Sequence, residues 1–207
     1  MKKILAIMLA AVMILSLCAC AKTEEGVTAE VAEVTPARGT VEAGEYKNTA
    51  FGVSFKAEED WYFLSDAEIA QAMGVAAEEI YGEGTKIEGE NVYDLYCVDM
   101  ETNATVSINY ENLGTVGALT DANGYLETVM TQLVSNGADS GVVDAIISNI
   151  EISGIKVPCL SIELDYAGTR IHEKVITKQI GTWMATITLA SLSETEIEEL
   201  LERVSFE

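Results

Sequence analysis

The alternation of apolar and polar residues along the chain predicts about six β-strands. Residues 51–63 fit a strand pair or one bent strand, and residues 91–100 and 104–110 alternate clearly. Residues 147–190 predict three further successive strands. The inward candidates of the first stretch are Val53, Phe55, Trp61 and Phe63, and the breaks in the last are Gly154, Ala167-Gly168 and Gly181.

Three segments show the apolar spacing of amphipathic helices instead. They cover residues 65–73, 120–135 and 193–204, and the third carries Ile197, Leu200, Leu201 and Val204 on one face. Capping boxes open the first and third segments, with Ser65 and Glu68 in one and Ser193 and Glu196 in the other.

The order of these elements predicts an α+β domain over residues 46–207. Strands and helices alternate in groups, and links of hairpin length favour an antiparallel sheet flanked by helices. A chain of this length buries a core of ordinary size, about 70% of its extended surface. No internal repeat divides it, so we expect one globular domain.

The N-terminus combines a basic start, an apolar run and a pair of cysteines. Lys2 and Lys3 precede an uncharged run from Ile4 to Leu17, which is too short for a bilayer span of about 20 residues. The run ends in Leu17-Cys18-Ala19-Cys20, which resembles the lipobox, the motif at the end of the signal peptide of bacterial lipoproteins. That resemblance implies cleavage after residue 19 and acylation of the Cys20 thiol. Cys18 is the competing position, but bulky Leu17 precedes it. The alternatives are a plain signal peptide with incidental cysteines and an uncleaved anchor.

Residues 20–45 are expected to be a flexible acidic tether. They contain no aromatic residue and alternate small residues with Glu, so they cannot offset their ordering entropy by burial. A short strand within Val31–Val34 is the alternative. The tether would span roughly 25–30 Å, and it would hold the domain on a membrane through the two acyl chains of Cys20.

The charge balance limits the partners of the protein. The sequence has 34 Asp and Glu residues against 12 Lys and Arg, a formal net charge of −22. Loss of Lys2 and Lys3 with the signal peptide changes this value to −24. Phosphate backbones repel such a surface, so we expect no nucleic-acid partner. Anionic lipid repels it too, so membrane association depends on the acylated Cys20.

The globular region carries a recognisable set of motifs at Tyr46, Asn48, Phe51-Gly52-Val53-Ser54-Phe55, Trp61, Ile152-Ser153-Gly154 and Gly181-Thr182-Trp183-Met184-Ala185-Thr186-Ile187-Thr188. In these residues it resembles the PsbP-like domains, a fold named for an extrinsic subunit of photosystem II and also found in small bacterial lipoproteins. The resemblance implies an α/β/α sandwich around an antiparallel sheet, and it implies no catalytic residues. Ala57-Glu58-Glu59-Asp60 stands where the family has a proline-bearing step.

One predicted hairpin carries His172, the only histidine. A two-residue turn at Ala167-Gly168 gives it a charged face and an apolar face, and Glu173 opposite Ile162 breaks the apolar one. The basic stripe of Arg170, His172, Lys174 and Lys178 has two interpretations, cross-strand pairing or an anion site. The predicted facing pairs are Asp165 with Arg170, Glu163 with His172, Ser161 with Lys174, Leu164 with Ile171 and Leu160 with Val175.

The remaining candidates for chemistry are two cysteines and one acidic loop. Cys97 and Cys159 lie on separate predicted strands, so they are either buried free thiols or, if the strands are neighbours, a disulfide. The absence of a C-x-x-C motif argues against a redox enzyme. The segment Asp121–Gly124 has its Gly at position 4 rather than 6, which favours a helix start over a calcium loop. We expect no metal site.

These observations predict a non-enzymatic lipoprotein outside the cytoplasm. The sequence shows no Ser-His-Asp spacing, nucleophile elbow, phosphate loop or dinucleotide motif, so we expect neither catalysis nor a cofactor. A protein-interaction module that contacts another envelope protein is the leading hypothesis. A module that binds a small ligand or metal ion is the alternative, and an enzyme is the third.

Overall fold

The computed structural model describes residues 37–73, 91–114, 120–135 and 141–207. Within these ranges the chain forms eleven strands and three helices, a mixed α/β arrangement. The helices are α1 (Asp66–Met73), α2 (Ala122–Ser135) and α3 (Glu194–Leu201). The strands are β1 (Thr40–Glu42), β2 (Glu45–Asn48), β3 (Val53–Lys56), β4 (Trp61–Phe63), β5 (Asn91–Asp99), β6 (Thr105–Asn112), β7 (Val142–Ile152), β8 (Ile155–Tyr166), β9 (Thr169–Ile180), β10 (Trp183–Ser191) and β11 (Val204–Phe206).

The strands form two antiparallel sheets rather than the single sheet of about six strands expected from the sequence. The larger sheet has seven strands in the order β4-β5-β6-β10-β9-β8-β7, and the smaller has four in the order β1-β2-β3-β11. Strand β7 is therefore one edge of the large sheet and the short β4 is the other.

The two faces of the large sheet are covered by different elements. Helices α1 and α2 pack on one face, where Leu126 and Leu133 of α2 contact Leu160 and Ile171. The small sheet and α3 pack on the opposite face. Alternate positions of the central strands point to opposite faces, so the seven-stranded sheet contributes to both cores.

The stretch 147–190, predicted as three strands, belongs to four. Strand β7 begins at Val142, earlier than expected, and it continues to the turn at Ser153-Gly154. The predicted two-residue turn is confirmed: Ala167 has φ 53° and Gly168 has φ 83°. Positive φ at both turn residues matches the twist of the flanking strands.

Two long-range features differ from the sequence-based prediction. Strands β3 and β4, expected as a pair or one bent strand, belong to different sheets. Val204, expected on the last helix, lies in β11, where it pairs with Phe55 while Phe206 pairs with Val53. Helical spacing continues past Leu201, but pairing with β3 determines the backbone conformation.

Regular secondary structure also begins before Tyr46 in the residues that the structure describes. Residues 40–45 were expected in the tether, but they form β1 and its turn into β2. Hydrogen bonds from Arg38 and Gly39 to Asp94 hold this segment in place. The prediction of a tether considered only the lack of apolar residues and therefore missed these polar contacts. The signal peptide, Cys20 and residues 20–36 lie outside the described residues.

Candidate functional site

The predicted register of the β8–β9 hairpin is confirmed at each position. Glu163 pairs with His172, and Glu173 lies opposite Ile162. The other observed pairs are Asp165 with Arg170, Ser161 with Lys174, Leu164 with Ile171 and Leu160 with Val175. One side of the hairpin is therefore charged, and the other packs under α2.

The cations of this hairpin have anionic or carbonyl partners. Arg170 forms ion pairs with Glu163 and, at 3.4 Å, with Asp165. Lys174 reaches Glu198 of α3 at 3.2 Å. Lys178 donates to the Glu207 carbonyl at 3.2 Å and lies 4.8 Å from the centre of the Phe206 ring. The structure thus favours cross-strand and helix-to-strand pairing over an anion site for this stripe.

A cleft of about 220 Å³ opens beside the hairpin, between strands β7 to β9 and helix α3. Carboxylates outnumber cations in it, and Ile146 and Ile197 add apolar surface. The charged groups of its lining include Asp144, Glu163, Glu194, Glu198, His172 and Lys174. The cleft therefore suits a positively charged group better than an anion.

The edge strand β7 forms one wall of this cleft and is exposed along most of its length. Val143 is 50% exposed and Ile146 is 56% exposed. The register shifts between Val142 and Asp144, so Val143 forms a bulge, and pairing with β8 is regular from Asp144 to Ile152. An open strand edge with apolar side chains is a ready template for another strand.

A buried carboxyl group lies on the opposite face of the same hairpin. Glu173 is 3% exposed, and its Oε1 has no hydrogen-bond partner. Desolvation raises the pKa of Glu173 to about 8. Glu173 interacts electrostatically with the hydroxyls of Tyr96 and Tyr166, and burial raises the pKa of both tyrosines. The Glu173 side chain is therefore mainly protonated at neutral pH.

The richest polar network of the described residues surrounds Asp94, which the sequence analysis did not single out. Its Oδ2 accepts from the Gly39 amide at 2.7 Å, the Tyr46 hydroxyl at 2.7 Å and the Asn48 amide at 3.0 Å. Its Oδ1 accepts from Arg38 Nε at 3.1 Å. The signal available in the sequence was a charged residue inside the apolar run of β5. In the structure Asp94 lies at a register shift between β5 and β6.

The network continues on both sides of Asp94. Arg38 also makes two hydrogen bonds to Asp66 of α1, at 2.6 and 2.8 Å. Tyr46 and Tyr110 share a hydroxyl hydrogen bond of 2.8 Å, and Phe51 stacks on the Tyr110 ring at 3.8 Å. Burial, with Tyr110 and Asp94 nearby, raises the pKa of Tyr46 well above its ordinary value, so it remains a donor. This arrangement ties the small sheet and α1 to the large sheet.

The two cysteines of the globular region are buried free thiols. Cys97 lies on β5 and Cys159 on β8, with β6, β10 and β9 between them. Four interstrand spacings separate them by about 19 Å, whereas a disulfide requires α-carbons within about 7 Å. The strands are not neighbours, so the disulfide alternative does not hold in this structure.

The acidic loop before α2 acts as a helix cap. Asp121 Oδ1 accepts from the Gly124 amide at 2.8 Å, as an N-cap side chain does. Among the described residues, no cluster of three or more His, Cys, Asp or Glu side chains is placed to hold a metal ion. In the same ranges, no helix combines the length and the apolar character needed to cross a bilayer.

Comparisons with known proteins give limited similarity. No family model and no curated protein match the chain. A solved structure from Bacteroides thetaiotaomicron VPI-5482 has 11% identity, a TM-score of 0.39, and coverage of 82% of this chain and 48% of its own. LpqN, described as involved in cell envelope biogenesis of Mycobacterium tuberculosis, has 11% identity, a TM-score of 0.42, and coverage of 74% and 82%. The chain thus spans about half of the Bacteroides protein.

Proposed function

We propose that the protein is a lipid-anchored, extracytoplasmic envelope protein that acts as a non-enzymatic protein-interaction module. The observation that carries the interaction role is the open edge of β7, with exposed Val143 and Ile146 beside an acidic cleft. The lipobox resemblance at Cys20 supports the anchor, and the PsbP-like resemblance is the proposed fold family.

The anchor is tested by metabolic labelling with an alkyne fatty acid in a bacterial host. Wild type is expected to carry the label and to partition into the detergent phase. Cys20→Ala should lose both properties because the acylated thiol is gone. Cys18→Ala is the matched control and should retain both. Labelling of Cys20→Ala, or its absence in wild type, contradicts the proposed anchor.

The interaction role is tested by photo-crosslinking in intact cells of the native host. A photoreactive amino acid at Ser148, which is exposed on β7, should capture a specific protein. The same amino acid at Met100, which is exposed in the turn after β5, is the control and should not. Scanning further exposed positions completes the test, and failure of every position to capture a specific protein contradicts the role.

A second function, binding of a small ligand or metal ion, is favoured by one observation. The cleft of about 220 Å³ has the size of a small molecule and holds several carboxylates. A thermal-shift screen with cations and small amines tests it, because a ligand at 100 times its Kd stabilises by about 2.7 kcal/mol. A shift that Asp144→Asn abolishes would favour this function over the first.

A further inference from the structure

Strand β7 has one paired edge and one open edge. From Asp144 to Ile152 its backbone pairs regularly with β8, and no other strand of the described residues pairs with it. The main-chain donors and acceptors of the open edge therefore face outward along nine residues of extended backbone. Such an edge adds an extended peptide as a further strand.

The open edge lacks the features that normally prevent pairing. Sheet edges are usually protected by lysine, proline, bulges or short length. Here the bulge at Val143 affects only the start of β7, and the stretch Ala145–Ile150 contains neither charge nor proline. Asp144 and Glu151 flank this stretch, so six successive residues of the edge lack the usual protection.

The side chains along the edge define the chemistry of the occupant. Asp144 and Ile146 line the acidic cleft, and Ile147 points to the other face of the strand. A strand added to β7 places alternate side chains next to these residues. A cation beside Asp144 and an apolar side chain beside Ile146 give complementary cross-strand neighbours.

We propose that the β7 edge binds an extended, basic segment of a partner protein, with a Lys or Arg beside Asp144 and an apolar residue two positions away beside Ile146. This deepens the proposed interaction role and rests on it. We do not expect a second copy of the chain at this edge, because two chains with a formal net charge of −22 each repel one another. A basic segment is instead attracted to the acidic protein.

The test measures the binding of synthetic, fluorescently labelled nine-residue peptides to the full-length protein in detergent. Fluorescence anisotropy of the peptide reports the binding. The first peptide has Lys at both ends and Val, Thr and Ile between them. The second peptide has Glu at both ends. The third is the basic peptide with alternate amides N-methylated, so that they cannot donate hydrogen bonds to a neighbouring strand. Only the first should bind, and binding should weaken as salt screens the charges.

Variants locate the binding on β7. Asp144→Asn should weaken the basic peptide about two- to fivefold, the range for one cross-strand charge pair. Ile146→Lys, which supplies the missing edge protection, should abolish binding. Met100→Lys is the matched control and should leave the affinity unchanged, since Met100 is 63% exposed, against 56% for Ile146, but lies in the turn after β5.

Three results overturn the proposal. The first is that the basic peptide does not bind at about 1 mM and low salt. The second is that the acidic or the N-methylated peptide binds equally well. The third is that light scattering shows wild type to be a dimer and Ile146→Lys to be a monomer. If positions outside β7 capture a specific protein in cells and positions on β7 capture none, this inference is wrong and the interaction role still holds. Peptide binding without capture of any protein in cells would show that the β7 edge can add a strand, but it would contradict the interaction role and with it the partner segment proposed here.

Discussion

Arg38 Nε donates a hydrogen bond to Asp94 Oδ1 at 3.1 Å, although the two residues are 56 positions apart in the chain. Arg38 is also held by Asp66 of α1, so its guanidinium joins the N-terminal segment to both a helix and the large sheet. Burial alone would lower the pKa of Arg38, and these two carboxylates raise it above its ordinary value. The guanidinium therefore stays charged.

Removal of the Asp94 carboxylate should strongly destabilise the protein. Asp94→Ala removes the acceptor of the Gly39 amide, and it removes one hydrogen-bond partner each from the Tyr46 hydroxyl and the Arg38 guanidinium. Loss of one partner in a buried ionic network costs about 3–5 kcal/mol. Urea denaturation should show a loss of that size. Asp66→Ala is the control and should lose less than about 1 kcal/mol, because Asp66 is 49% exposed. Similar losses in the two variants would contradict the central role of Asp94.

Gly39 is required for the close approach of the Tyr46 ring. A Cβ at position 39 would lie 2.4 Å from Tyr46 Cε2, and the ring is buried and bonded to Asp94. Gly39→Ala should therefore lower the free energy of unfolding by about 1–3 kcal/mol. A double-mutant cycle with Asp94→Ala checks the cause. The two losses should be less than additive, because Asp94 holds the ring in the clashing position, and full additivity would contradict this explanation.

The sequence was sufficient for features that depend on neighbouring residues. The β8–β9 register follows from the Ala167-Gly168 turn and the alternation on either side, and every predicted pair is confirmed. The Ser193 cap on α3 is confirmed, since Ser193 accepts from the Glu196 amide. The Glu196 carboxylate, however, bonds to Ser191 instead of returning to Ser193.

The sequence was insufficient where distant segments meet. Asp94 bonds to residues 46 to 56 positions away in the chain, and Ser54 of β3 bonds to Ser205 of β11, 151 positions away. The hydrophobic pattern around each residue does not indicate such distant partners. The sequence predicted only part of the candidate site. The sequence identified the hairpin around His172, but the acidic cleft forms because α3 places Glu194 and Glu198 beside it. The exposure of β7 required knowledge of the strand order.

The thiols of Cys97 and Cys159 should be unreactive in the native protein. Both are buried, and burial raises the pKa of Cys159 to about 11 and that of Cys97 well above its ordinary value. The reactive thiolate is therefore scarce at pH 8. Peptide-resolved mass spectrometry should show alkylation by iodoacetamide in urea but not in buffer, with and without prior reduction. Reduction-dependent alkylation of this pair in urea would instead indicate a disulfide.

Glu173 should make stability depend on pH. Its pKa rises from an ordinary 4.5 to about 8 in the folded protein, so the folded state binds more protons than the unfolded state between these values. The stability contribution of this group is therefore fully present below about pH 4.5, decreases as pH rises, and is lost above about pH 8. The total effect is at most a few kcal/mol.

Glu173→Gln isolates this effect, because glutamine keeps the shape and remains neutral. The variant and wild type should have similar unfolding free energies near pH 4, and the advantage of the variant should grow up to about pH 8 and then level off. Glu151→Gln, an exposed change on β7, is the matched control and should follow the wild-type profile. The difference between paired urea titrations at each pH cancels the contributions of the other carboxylates. A constant difference between Glu173→Gln and wild type over this pH range would mean that the pKa of Glu173 is not raised in the folded protein, which contradicts this prediction.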